Sequence, residues 1–124
     1  MRSPANVVCQ EKISSFRQLE EESGQSVLGS VVDLFVGRTP PMFAEIRRAV
    51  PGGDTMRIAR LAHTIKGSCS NFGAHRMKAA CERLEGAVAG GESHARLEEI
   101  LGEIEREFGY VSMALQIEVE AKSA

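Results

Sequence analysis

The residues best suited to chemistry stand close together: His63, Lys66 and Gly67, within the run Ala62-His63-Thr64-Ile65-Lys66-Gly67-Ser68-Cys69-Ser70-Asn71-Phe72-Gly73. An ordinary imidazole, with a pKa of ~6.5, is largely neutral near neutral pH and keeps one ring nitrogen with a free lone pair. It is a competent nucleophile toward an activated phosphoryl group without a dedicated base. Phosphoryl transfer asks mainly for positioning and charge neutralisation. Lys66 follows three residues on, and helical side chains lean toward the N-terminus, so its ammonium can swing back toward the imidazole. Gly67, one turn beyond His63, removes the side chain that would otherwise stand beside the ring. Its intrinsic cost of ~1 kcal/mol in a helix interior is explained if another protein's surface comes close there. Ala62, Ser68 and Ser70 keep the neighbourhood small.

These positions follow only if the stretch is helical. On an ideal helix of ~100° per residue, Ile58, Leu61, Ala62, Ile65, Cys69 and Phe72 share one side, a core-facing stripe. His63 then lies roughly 150° from the centre of that stripe and points at solvent. Met56, Arg60, Gly67 and Ser70 follow the same outward side, so Met56, Arg60 and Ser70, with Arg76 beyond the next turn, are candidate contacts for a partner. Asp54 is the expected N-cap of this helix, predicted over 55–72 and closed by Gly73.

The remaining elements must hold that helix. Residues 1–10 read as a flexible tail. Ile13, Phe16 and Leu19 mark a short helix over 11–22, stopped by Ser23-Gly24. Leu28, Val31, Val32 and Phe35 give a stripe over 26–36, which Gly37-Arg38-Thr39-Pro40-Pro41 interrupts. Thr39 is the expected N-cap, and Pro40 the first helical residue, of the segment carrying Phe43, Ile46 and Val50. Downstream, Met77, Ala80, Cys81, Leu84 and Val88 define a helix over 74–89, and Gly90-Gly91 a turn. Leu97, Ile100, Leu101, Ile104, Phe108, Val111 and Leu115 then keep helical phase through a long last helix beginning near Ser93. The acidic residues of these last two helices, Glu85 among them, read as solvated surface. Nothing reads as a strand. Helices joined by two- to four-residue turns favour antiparallel neighbours, hence an all-α, up-down bundle: one domain over 11–120, with 121–124 loose.

Composition narrows the class. A chain of 124 residues, 43% apolar and 26% charged, suits one soluble globular domain. No apolar run approaches the ~18–20 residues of a membrane span, and the N-terminus lacks a sustained apolar segment with a cleavage signal. A cytoplasmic protein is expected. Cys9, Cys69 and Cys81 are odd in number and widely spaced, as for free thiols in a reducing compartment. No close Cys/His spacing suggests a metal. The net charge of −2 is uneven: residues 56–83 carry six basic side chains against Glu82 alone, leaving −7 elsewhere. Such a basic island favours an anionic partner or a phosphate. The acidic remainder, without aromatic or Gly/Arg-rich segments, weighs against nucleic acid. No P-loop, no carboxylate cluster for Mg²⁺ near His63 and no catalytic triad is visible. The chain is equipped to carry a phosphoryl group and not to take one from ATP.

The run Ala62-His63-Thr64-Ile65-Lys66-Gly67-Ser68, continuing to Asn71 and Gly73-Ala74, closely resembles the phosphoacceptor signature of histidine-containing phosphotransfer (HPt) domains of two-component phosphorelays. Cys81-Glu82-Arg83-Leu84-Glu85 and, more weakly, Leu34-Phe35 with Thr39-Pro40 share that likeness, which covers roughly residues 11 to 118. The resemblance implies an antiparallel up-down four-helix bundle with additional short N-terminal helices. It implies His63 as phosphoacceptor through Nε2, Lys66 as flanking cation and Gly67 as the close-approach position. Partners would be receiver domains of response regulators and hybrid kinases, which supply the aspartyl phosphate and the Mg²⁺, so that this chain binds no cofactor or metal itself. A phosphocarrier acting as a monomer is expected, without ATP-dependent kinase activity, nucleic acid or membrane. Two alternatives stay open. One is an adaptor that docks on a receiver or kinase without carrying phosphate. The other is the phosphoacceptor domain of a larger kinase, although the initiating Met favours a complete protein. Cys69, where family members often carry Ser or Ala, is a small departure.

Overall fold

The computed structural model describes residues 7–123, of which 122 and 123 are described by backbone alone. Five helices follow in order: α1 (Gln10–Ser23), α2 (Leu28–Gly52), α3 (Thr55–Ser70), α4 (His75–Ala89) and α5 (His94–Ser123), with no strand among the described residues. Helices α2 to α5 close a ring in which α3 packs on α2 and α4, and α5 on α4 and α2. This is the expected antiparallel four-helix bundle, and α1 is its one additional N-terminal helix.

Local chemistry sets most boundaries. Gly53 turns the chain in the left-handed region at φ 68°, and Asp54 Oδ1 then accepts the Arg57 N–H at 3.2 Å as the N-cap of α3. Ser93 Oγ accepts the Arg96 N–H at 3.1 Å at the start of α5. The buried stripe of α3 is Ile58, Ala62, Ile65 and Cys69, continued by Phe72, with Leu61 only half-buried. Phe72 joins α1, α2 and the end of α3, with ring centroids 5.9 Å from Phe16 and 5.3 Å from Phe35.

Three expectations are corrected. First, no break occurs at Pro40: α2 is a single 25-residue helix containing Pro40, Pro41 and Pro51. Thr39 caps nothing. It is buried in the helix, its hydroxyl donating to the Phe35 carbonyl at 2.7 Å. Each interior proline costs ~3 kcal/mol. A continuous helix, however, aims Leu28, Val32, Phe35, Phe43, Ile46 and Val50 at one core, at roughly 1.5–3 kcal/mol for each such side chain buried. The prolines themselves are exposed, where water can serve the carbonyls they leave unpaired.

Second, α1 is rotated from its expected face. Leu19 is exposed, while Glu20 is buried and its Oε2 accepts the N–H groups of Val27 and Leu28 at 2.7 and 2.8 Å. The first turn of α2 has no side-chain cap of its own, so a carboxylate from α1 supplies the missing acceptor at the positive helix end. Third, the expected tail is structured from Val7 onward. Val7 and Val8 are buried, the Cys9 N–H donates to the Phe72 carbonyl at 2.9 Å, and α1 begins at Gln10. Residues 1–6 lie outside the described part. At the other end α5 continues through Ser123, where a loose terminus was expected.

The contact between Cys9 and the α3–α4 turn makes Gly73 sensitive. Its φ is +61°, and a Cβ placed there collides with Cys9 Cβ. We expect Gly73→Ala to destabilise the protein by about 2–4 kcal/mol, combining left-handed strain with overpacking. Urea unfolding monitored by circular dichroism measures it, and a change below about 1 kcal/mol would contradict this packing.

Candidate functional site

α3 carries His63 on the side opposite its buried stripe. The imidazole is open, with 73% of its side chain exposed. Its Nδ1 lies 3.6 Å from Glu85 Oε2, so that Nε2 is the ring nitrogen not engaged by that carboxylate. Lys66 Nζ lies 2.9 Å from Glu85 Oε1. One carboxylate of α4 thus faces both the ring and the ammonium. The close polar contact with Glu85, and after it the charges of Glu85 and Glu82, raise the Lys66 pKa above the ordinary lysine value of 10.5. Lys66 therefore stays cationic through neutral pH, and its share of the pair is lost only as pH rises through that raised pKa. A carboxylate beside Nδ1 favours the tautomer with the proton there, leaving the lone pair on Nε2.

Glu85 is the residue that sequence reasoning misplaced. Its assignment to solvated surface is corrected: the side chain is only 27% exposed and lies between α3 and α4. The available signal was its membership of the Cys81-Glu82-Arg83-Leu84-Glu85 run. Cys81, one turn before it, is buried beside Cys69 of α3, so two rungs of the same interface set the α4 register. The Cys69 sulfur and burial together push the Cys81 thiol far up, which keeps it protonated and unreactive. All three cysteines are free thiols.

The surface around His63 has low relief. The hydroxyls of Thr64, Ser68 and Ser70 donate back to the carbonyls of Arg60, Thr64 and Lys66 at 3.0, 3.4 and 3.5 Å. Gly67 is exposed, and a Cβ added there meets nothing within 4 Å. The fold itself thus has no need of glycine at this position. Met56, Arg60 and Ser70 are also exposed and share this outer face. Arg76 does not: it sits on α4 with its Nε 3.8 Å from Glu107 of α5. On the α2 side of His63 lies a groove of about 230 Å³, missed from sequence, between Leu34, Arg38 and Met42 and the α3 residues Thr64 and Ser68. Leu34 is 51% exposed, an apolar side chain left out of the α2 core stripe.

The basic island is smaller in space than in sequence. Arg57 pairs with Glu45, Lys66 with Glu85, Arg76 with Glu107 and Arg83 with Glu103. Arg60 and Lys78 are its only members without an ion pair among the described residues.

A four-helix bundle presenting an exposed histidine on the outer face of α3, beside a lysine–carboxylate pair, is a phosphotransfer scaffold rather than an enclosed active site. The Hpt domain family matches residues 30–121, and the chain belongs to that family. Its role is accordingly phosphotransfer in two-component signalling, in a family of phosphocarriers that exchange with receiver domains. Among solved structures, the X-ray structure of a histidine-containing phosphotransfer protein from rice matches with a TM-score of 0.75. The match has 21% sequence identity and covers 94% of this chain and 84% of that one, a likeness of fold. No curated protein matches the chain in sequence. No helix among the described residues is long and apolar enough to cross a membrane.

Two measurements test this geometry. Glu85→Ala is expected to return the Lys66 pKa toward 10.5 and to reduce the Nδ1–H tautomer of His63. Side-chain NMR reads both, and an unchanged Lys66 titration would break the proposed link. Because Gly67 meets no neighbour, Gly67→Ala should stabilise the isolated protein by about 0.5–1 kcal/mol through helix propensity alone. Destabilisation in a urea titration would mean that the fold requires this glycine.

Proposed function

We propose that His63 accepts a phosphoryl group on Nε2 from the aspartyl phosphate of one receiver domain and passes it to another. The observation that carries this reading is the His63–Lys66–Glu85 arrangement: Nδ1 faces a carboxylate, the imidazole is largely exposed, and a lysine stands in the same cluster. The Nε2 lone pair forms the P–N bond as the P–O bond to the partner's aspartate breaks, and that carboxylate leaves with the electron pair. The ring keeps its Nδ1 proton and becomes cationic, with Glu85 opposite to balance the charge. Lys66 is placed to offset the negative charge of the phosphoryl oxygens. The same steps in reverse deliver the group to the second receiver.

The remaining requirements fall to the partner. No group of three or more His, Cys, Asp or Glu side chains among the described residues is placed to hold a metal. We assign the Mg²⁺ of the transfer to the receiver. Docking would use the low-relief outer face of α3, with Met56, Arg60 and Ser70, and the adjoining groove at Leu34 and Arg38. Arg60, unpaired among the described residues, suits the acidic rim of a pocket built to hold a phosphorylated aspartate and a divalent cation. Gly67 lets the two backbones approach. Arg76, held toward α5, is left out of that surface.

Incubation with a receiver domain phosphorylated with a radiolabelled small-molecule donor tests the transfer. Acid-labile label should appear on the wild-type protein and be absent from His63→Gln; full labelling of that variant would sink the assignment. Gly67→Gln should slow transfer at least about tenfold, equivalent to ~1.4 kcal/mol, while leaving the unfolding free energy equal to that of wild type or higher by about 0.5 kcal/mol. Normal transfer by that variant would remove the close-approach role.

A further inference from the structure

α5 carries a second stripe that lies outside the bundle core. Arg106, Tyr110, Met113, Ile117 and Glu120 recur at alternating spacings of four and three residues, the seam of a helix that pairs with another helix. On a helical wheel they occupy an arc of about 80°, opposite Ile104, Val111 and Leu115. Those three are buried in the core, whereas Tyr110, Met113 and Ile117 are 39%, 64% and 46% exposed. Arg106 and Glu120 are exposed as well, and neither has an ion pair among the described residues. The seam therefore has an apolar middle and unpaired ends of opposite charge.

The geometry points to a second copy of this chain as its occupant, packed through an antiparallel α5–α5 contact. Arg106 and Glu120 each stand seven residues from Met113. A two-fold axis at Met113 therefore sets Arg106 of each copy against Glu120 of the other and brings the apolar middles together. A parallel pair would oppose Arg106 to Arg106 and Glu120 to Glu120, so charge selects the antiparallel arrangement. Three apolar side chains per copy make a small interface, and the association is correspondingly weak, with a Kd on the order of 0.1 mM. This replaces the monomer expected from sequence. The dimer leaves the transfer face clear, because α3 and α5 are separated by α2 and α4, which pack on both. Both copies of His63 stay open, giving a carrier with two acceptor sites that can engage two receivers at once. The inference rests on α5 alone and is independent of the chemistry at His63.

Sedimentation velocity between about 10 μM and 1 mM is the test, chosen to bracket that Kd. The wild-type mass should rise from monomer toward dimer, and Met113→Lys should stay monomeric throughout. Arg106→Glu should weaken association at least about fivefold, equivalent to ~1 kcal/mol. The double variant Arg106→Glu/Glu120→Arg should recover most of it. All these positions are exposed, so circular dichroism spectra should not change. A wild type that stays monomeric at 1 mM, a dimer indifferent to Met113→Lys, or a charge reversal without rescue would each overturn the inference. So would a Met113→Lys variant that lost receiver binding and not self-association, since the stripe would then belong to another partner.

Discussion

The burial of one stripe of α3 governs the rest of the molecule. Ile58, Ala62, Ile65, Cys69 and Phe72 are fully enclosed, and a helix cannot rotate such a set into its core without rotating the opposite side outward. At ~100° per residue, His63 has no other place to be than solvent. The other elements serve that burial. α2 and α4 close over the flanks of the stripe, α5 closes the ring behind, and α1 covers Phe72, whose carbonyl also accepts the Cys9 N–H. The packing that stabilises the bundle and the exposure that suits phosphotransfer come from a single periodicity.

Electrostatics add a second layer that depends on neighbouring helices. Along the chain, residues 56–83 look strongly basic. In space, acidic side chains of α2, α4 and α5 are drawn against four of their six cations. Exposed pairs of this kind contribute little to stability, typically ~0–1 kcal/mol. Their importance here is positional. Lys66 is drawn to the carboxylate that also faces His63, Arg76 is held toward α5, and Arg60 has no ion pair among the described residues. Glu85 acts on two neighbours at once, which makes it the one α4 carboxylate with a place in the site. Beneath it, Cys69 and Cys81 hold the two helices in register through contact and burial, with no covalent link.

Glycine has opposite meanings at two positions a few residues apart. At Gly73 the conformation and the nearness of Cys9 demand it. At Gly67 the helix is regular, the space above is empty, and alanine would suit the fold better. Glycine brings the fold no advantage there, and the proposed close approach of a receiver domain would account for it. The helix-propensity argument could be made from sequence, but the emptiness of the site had to be seen.

Much of the architecture was legible in the sequence because helical phase and capping are local. The outward turn of His63, the Asp54 cap, the burial of Cys69 and Cys81 and the antiparallel bundle all follow from spacings within about four residues. What failed was non-local. The prolines at 40 and 41 read as a break, and only the common core shared by both halves of α2 outweighs their cost. Leu19 had the right phase for burial, but Glu20 displaced it because the start of α2 lacked acceptors. Val7 and Val8 lay in a segment too short to show a pattern, and the core took them in. Glu85 looked like any surface glutamate, since its partners stand about twenty residues away in sequence. By itself the sequence determined which side of α3 faces water, because that needs only the 3.6-residue repeat. The tertiary structure alone decided which charges meet there, because that depends on how α2, α4 and α5 are rotated and registered against α3.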